Sequence, residues 1–133
     1  MSFVNAAILK SFKDAEWLTG DDPPEGLSEA ILQADDIIYQ KTGIKPPSDP
    51  MTARAILRNY ACALIVWFMS GTQEKIDEQE LKRREKQYDD AIAGLEDIQS
   101  GKTKIIDDNG KVVSEPPRIL ASFHSTKRIT GAL

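Results

Sequence analysis

One cysteine and one histidine are all that the chain has of the two residues most used to hold zinc, so one copy cannot assemble a Cys/His zinc site. A lone cysteine also bars an internal disulfide. Cys62 sits inside an apolar stretch and reads as a small buried hydrophobe rather than a reactive thiol. Both phosphate-cradling signatures are missing, since no GxxxxGK[ST] and no GxGxxG occurs. His124 has Ser122 and Ser125 for neighbours, but a nucleophilic pair needs a third group to orient it, and ASFHSTKR provides none.

Carboxylates do come in pairs, at Asp21-Asp22, Asp35-Asp36, Asp89-Asp90 and Asp107-Asp108. Adjacent residues on a helix diverge by about 100°, so the helical pairs do not converge on one ligand. DDNG lacks the alternating oxygen ligands of a calcium loop and is explained more simply as a turn. No catalytic, cofactor-binding or metal residue is therefore assigned, no cofactor is expected, and the chain is not expected to be an enzyme.

Long hydrophobic runs are lacking too. The longest, YACALIVWFM from Tyr60 to Met69, is half of the roughly 20 residues that a membrane-spanning helix needs, so no membrane association is expected. MSFVNAAILKSFKDAEW has no basic leader and no convincing cleavage signal, which argues against a secretory signal and makes the cytoplasm the default expectation. A net charge of −4 opposes nonspecific coating of nucleic acid, which depends on neutralising phosphates with Lys and Arg.

What is present is a length of 133 residues with 29% charged and 41% hydrophobic residues, ordinary values for one globular domain with its own core. Hydrophobic spacing predicts a first helix over about Asn5–Leu18, whole or broken near Lys13 into two short pieces. Asn5 is its N-cap, and Ala7, Ile8, Phe12 and Trp17 are its core candidates. The stretch TGDDPPEG stops it.

A second helix follows over about Leu27–Thr42, with Ile31, Leu32, Ala34, Ile37 or Ile38, and Tyr39 inward and Gly43 as its terminal glycine. After IKPPSDP, Asp49 and Pro50 announce a third helix running to about Ser70. Its inward set is Ala53, Ile56, Leu57, Tyr60, Leu64, Trp67 and Phe68, and its later turns are apolar nearly all round. Such a helix is a central one, whose cover one chain could supply in whole or in part.

The fourth helix is read from about Glu74 to Gln99, with Leu81, Tyr88, Ile92, Leu95 and Ile98 apolar. Its charged residues read as a solvated face that includes the pairs Glu78/Lys82 and Glu80/Arg84. Beyond Gly101 the pattern changes. Ile105 and Ile106 stand before Asn109-Gly110, and Val112 and Val113 after it, which is a two-residue β-hairpin signal. EPPRILASFHSTKRITGAL follows with no acid after Glu115 and with Arg118, Lys127 and Arg128. The fold class expected is mainly α: a bundle of about four helices over residues 1–102, with a short C-terminal β-hairpin and extended arm over 103–133 as an appendage.

The order of these segments resembles the small helical head–tail connector (neck or adaptor) proteins of tailed bacteriophages, in particular those of Mu-like phages. The likeness rests on the acidic Pro/Gly loop, LSEAILQADDIIYQKTG, the proline connector, ARAILRNYACALIVWFMS and EKQYDDAIAGLEDIQSGK, and covers about Phe3 to Lys102. Its most specific part is the ending in Leu95, Ile98, Gly101 and Lys102. The resemblance implies a noncatalytic subunit that forms a homo-oligomeric ring between portal protein and tail-completion protein. It implies residence in the virion neck after assembly and in the host bacterial cytoplasm before it.

Contacts with neighbouring subunits and the portal are assigned to the hairpin and arm: Ile105, Ile106, Val112, Val113, Ile119, Leu120 and Phe123, with Arg118, Lys127 and Arg128 for polar or phosphate contacts. The alternative from another class is a small cytoplasmic DNA-binding regulator using the basic arm, although no recognition helix with clustered basic and amide side chains stands out.

Overall fold

A computed structural model of the chain describes residues 2–20, 23–73, 76–105 and Val112. Asn5 caps the first helix, α1 (Ala6–Ser11), by accepting from the Ile8 amide. Phe12 is extended, and the chain re-coils as a 3-10 helix over Lys13–Leu18, so the break near Lys13 is real. Inward residues are Ile8, Leu9 and Leu18, whereas Ala7 faces solvent.

Helix α2 spans Leu27–Thr42 and ends at Gly43, whose φ of 75° is the left-handed conformation that glycine enters without a Cβ penalty. Ala30, Ala34 and Ile38 are its buried apolar residues. Leu32, read from sequence as core, is instead 59% exposed because it lies on the opposite side from Ala34 and Ile38. Asp35 is buried beside them, where its Oδ1 accepts from the Phe3 amide at 3.0 Å and from the Ser2 hydroxyl at 3.2 Å. That carboxylate clasps the N-terminal segment to α2, and desolvation raises its pKa above the usual range.

The third helix differs from expectation at its start. Asp49 accepts from the Met51 amide and Pro50 stands first, as read, but they begin a 3-10 turn over Pro50–Thr52. Ala53 and Arg54 are extended, and α3 proper runs Ala55–Met69. Thr52 donates both its amide, at 3.0 Å, and its hydroxyl, at 2.7 Å, to the Asp49 carbonyl, which closes the turn. This leaves Ile56 exposed. From Ala61 to Val66 six successive residues are buried, so within this one chain the helix is covered on every side there.

A 3-10 turn over Ser70–Thr72 leads to α4 (Glu78–Gln99), which starts later than read because Asp77 takes the N-cap and accepts from the Gln79 amide. Tyr60 lies against Gly94 and Trp67 against Tyr88, so α3 and α4 run antiparallel. Lys41, at the end of α2, reaches Glu96 and Gln99 at the end of α4, so α2, α3 and α4 alternate in direction. The result is mainly helical, and the described residues form no strand. The hairpin expected around Asn109-Gly110 lies outside the described residues, apart from its flanking Ile105 and Val112.

Gly94 leaves room for the Tyr60 ring of α3 against α4. A Cβ there would meet the Tyr60 hydroxyl and lie 2.6 Å from the ring carbon that carries it. Gly94→Ala should therefore destabilise the protein by about 1 kcal/mol, the cost of displacing the ring exceeding the roughly 1 kcal/mol that alanine gains in a helix. In a Tyr60→Ala background the same change should stabilise by about 1 kcal/mol, because only the propensity gain remains. Urea midpoints of the four proteins check this, and stabilisation by Gly94→Ala in both backgrounds would remove the packing argument.

Candidate functional site

Two features adjoin where α3 passes into α4. The first is a polar joint between the 3-10 helix and α4. Asp14 on the 3-10 helix has a side chain only 7% exposed, with Oδ1 accepting from Arg83 Nη2 at 2.7 Å. Its Oδ2 accepts from Arg83 Nε at 3.3 Å and from Gln87 Nε2 at 3.0 Å. Arg83 and Gln87 are four apart and share a face of α4, so both reach one carboxylate. The Arg83 hydrogen bonds hold the Asp14 carboxyl below its ordinary range, against the opposite pull of burial.

Arg84, read from sequence as part of a solvated face, is 1% exposed, the largest fully buried side chain among the described residues. Its Nη1 donates to Gln73 Oε1 at 2.8 Å and to Ser70 Oγ at 3.4 Å, and its Nη2 donates to Glu80 Oε1 at 3.2 Å. The guanidinium carbon stands 5.1 Å from the centroid of the Trp17 ring, a cation–π geometry. The Glu80/Arg84 pair foreseen in the sequence is thus formed, but with its base in the interior. The position was legible: residues 81, 84, 88, 91, 95 and 98 recur at spacings of three and four, which places 84 on the inward stripe.

The second feature is aromatic. The Tyr88 ring lies 5.8 Å from Trp67 and 6.0 Å edge-on from Phe68, measured between centroids. Trp67 and Phe68 are only half-buried, directly after six fully covered residues. With Ser70, Gly71, Ile76 and Leu81 they line an open, mainly apolar groove of about 500 Å³. The two half-exposed rings leave apolar surface open in that groove.

Of the interface residues assigned from sequence, Ile105 is 7% exposed and belongs to the protein's own core, so the packed body extends past residue 102. Val112 is 44% exposed. Ile106, Val113, Arg118, Ile119, Leu120, Phe123, Lys127 and Arg128 lie outside the described residues, as does His124. Among the described residues no group of three or more His, Cys, Asp or Glu is placed to hold a metal, and no helix is long and apolar enough to cross a membrane. Cys62 is buried, and burial pushes its thiol up to about 12, which keeps it protonated.

No family model, curated protein or solved structure matches the chain.

Proposed function

We propose that the chain is a noncatalytic structural subunit of a phage or prophage head–tail connector, assembling as a ring between portal protein and tail-completion protein. In this reading it resides in the host bacterial cytoplasm before assembly and in the virion neck afterwards. The observation that carries the reading is the placement of the resembling segments. LSEAILQADDIIYQKTG falls on α2, ARAILRNYACALIVWFMS on α3 and its following turn, and EKQYDDAIAGLEDIQSGK on α4 from Glu85 onward and its C-terminal turn. The three segments thus build the body of the bundle.

A ring also needs two unlike surfaces on each subunit, so that one meets the other on the neighbour. The aromatic groove supplies one such surface. The segment beyond Ile105 supplies sequence of a different character.

Size-exclusion chromatography with light scattering, alone and with a cognate portal protein, tests the proposal. The intact chain should form a ring, either as concentration rises or when portal is added. A variant lacking residues 106–133 should not, and it keeps Ile105 in its core. A chain that stays monomeric and ignores the portal would overturn the reading.

A further inference from the structure

We propose that residues 45–52 form a strap that lifts from the body as one piece and opens a cavity leading to Cys62, so that the strap gates access to the thiol. The inference is independent of the connector reading. The cavity measures about 190 Å³. Ile8, Ser11 and Phe12 line it from α1 and the residue that follows, Arg58 and Cys62 line it from α3, and Met51 lines it from the strap. Ile8 and Cys62 are 7% and 1% exposed and make the inner wall, whereas Met51 is 57% exposed and stands at the mouth.

Of the three walls, the strap is the one that can move. The wall from α1 is anchored by the buried Ile8 and Leu9, and α3 is the central helix. The strap is pinned only at its ends, where Ile44 and Ala53 pack against the core, and none of residues 45–52 is buried. A segment with so little buried surface opens at far lower cost than the whole protein unfolds.

Its hydrogen bonding agrees. The Asp49 carboxylate accepts from the Met51 amide, the Asp49 carbonyl from the Thr52 amide and hydroxyl, and the Pro50 carbonyl from the Ala53 amide. These bonds lie within residues 49–53 and travel with the strap when it lifts. Pro46, Pro47 and Pro50 restrict its backbone, which favours movement about the two ends over bending in the middle. Arg58 Nη1, by contrast, donates across from α3 to the Met51 carbonyl at 3.0 Å and latches the strap to the body.

Opening changes the chemistry of the thiol. In the closed form burial holds Cys62 at about 12, against the opposite pull of the Arg58 guanidinium. Lifting the strap ends the burial and leaves the cation beside the sulfur, where it favours the thiolate.

The test uses the full-length protein, whose only cysteine is Cys62, and the small neutral reagent methyl methanethiosulfonate. The Cys62 thiolate attacks its sulfenyl sulfur, methanesulfinate leaves, and a mixed disulfide forms. The rate should be nearly flat in dilute urea and climb steeply only where the protein unfolds, because lifting the strap exposes little surface. Arg58→Met keeps the apolar stem and removes the latch, and it should raise the rate in dilute urea about tenfold, as expected for loss of one charge-assisted hydrogen bond. The same substitution takes away the cation that favours the thiolate, which by itself slows the reaction, so an increase reports opening. Asn5→Ala, which uncaps α1, should leave that rate unchanged. A rate that tracks global unfolding at every urea concentration would overturn the proposal. Acceleration by Asn5→Ala with none by Arg58→Met would overturn it too, by making α1 the wall that moves.

Discussion

Replacing Phe3 with alanine is expected to lower stability by about 3–5 kcal/mol, the range for removing a fully buried aromatic side chain. Phe3 is 0% exposed although it precedes the first helix, and its amide is held at 3.0 Å by the buried Asp35. Truncation leaves a cavity against the core and loosens the segment on which the Asp35 carboxylate depends. At roughly 3–5 °C per kcal/mol for a domain of this size, the melting temperature should fall by about 9–25 °C.

Phe3→Leu retains most of the apolar volume and should cost no more than about 1.5 kcal/mol, so a folded variant is available even if alanine is too severe. Thermal and urea denaturation read both. An alanine variant within about 1 kcal/mol of the parent would show that the segment before α1 lies outside the cooperative core.

Arg84→Ala should be the second large loss, about 2–4 kcal/mol, for two separable reasons. The long side chain fills interior volume over the Trp17 ring, and its guanidinium satisfies Gln73 and Glu80. Glu80 is 34% exposed and can regain water, and Ser70 keeps its own bond to the Val66 carbonyl, so the polar part of the loss is the smaller. Arg84→Met, which keeps volume and discards charge, should accordingly cost under about 1.5 kcal/mol. Equal losses for alanine and methionine in urea denaturation would reverse that ranking and assign the effect to hydrogen bonding.

The sequence displayed those parts of the fold that depend on local chemistry. Gly43 and the apolar spacing before it placed both ends of α2, and Asn5 and Asp49 cap as their side chains dictate. Where a local bond and helix propagation compete, the outcome is decided by geometry several residues away. Between the Asp49 cap and α3 the chain makes a 3-10 turn and two extended residues, Ala53 and Arg54, so one expected helix became a short turn and a later start.

Arg84 and Asp35 show a different limit. Their positions on the inward stripes were readable from periodicity, but charge argued for solvent, and only the partners brought by other elements make burial affordable. Those partners are Gln73 and Trp17 for the arginine, and the Phe3 amide for the aspartate. Ile105 entered the core rather than an interface for a related reason, since apolar character alone does not say which surface will cover a residue. The groove was invisible because Trp67 and Phe68 satisfy the helical pattern equally well as core.

The two tryptophans divide between the two features, Trp17 beneath the Arg84 guanidinium and Trp67 at the groove. Their emission therefore carries two separate optical signals. With Trp17 replaced by phenylalanine, the remaining tryptophan emission comes from the groove alone and reports changes in its surroundings. With Trp67 replaced, it reports instead whether the 3-10 helix is still seated on α4.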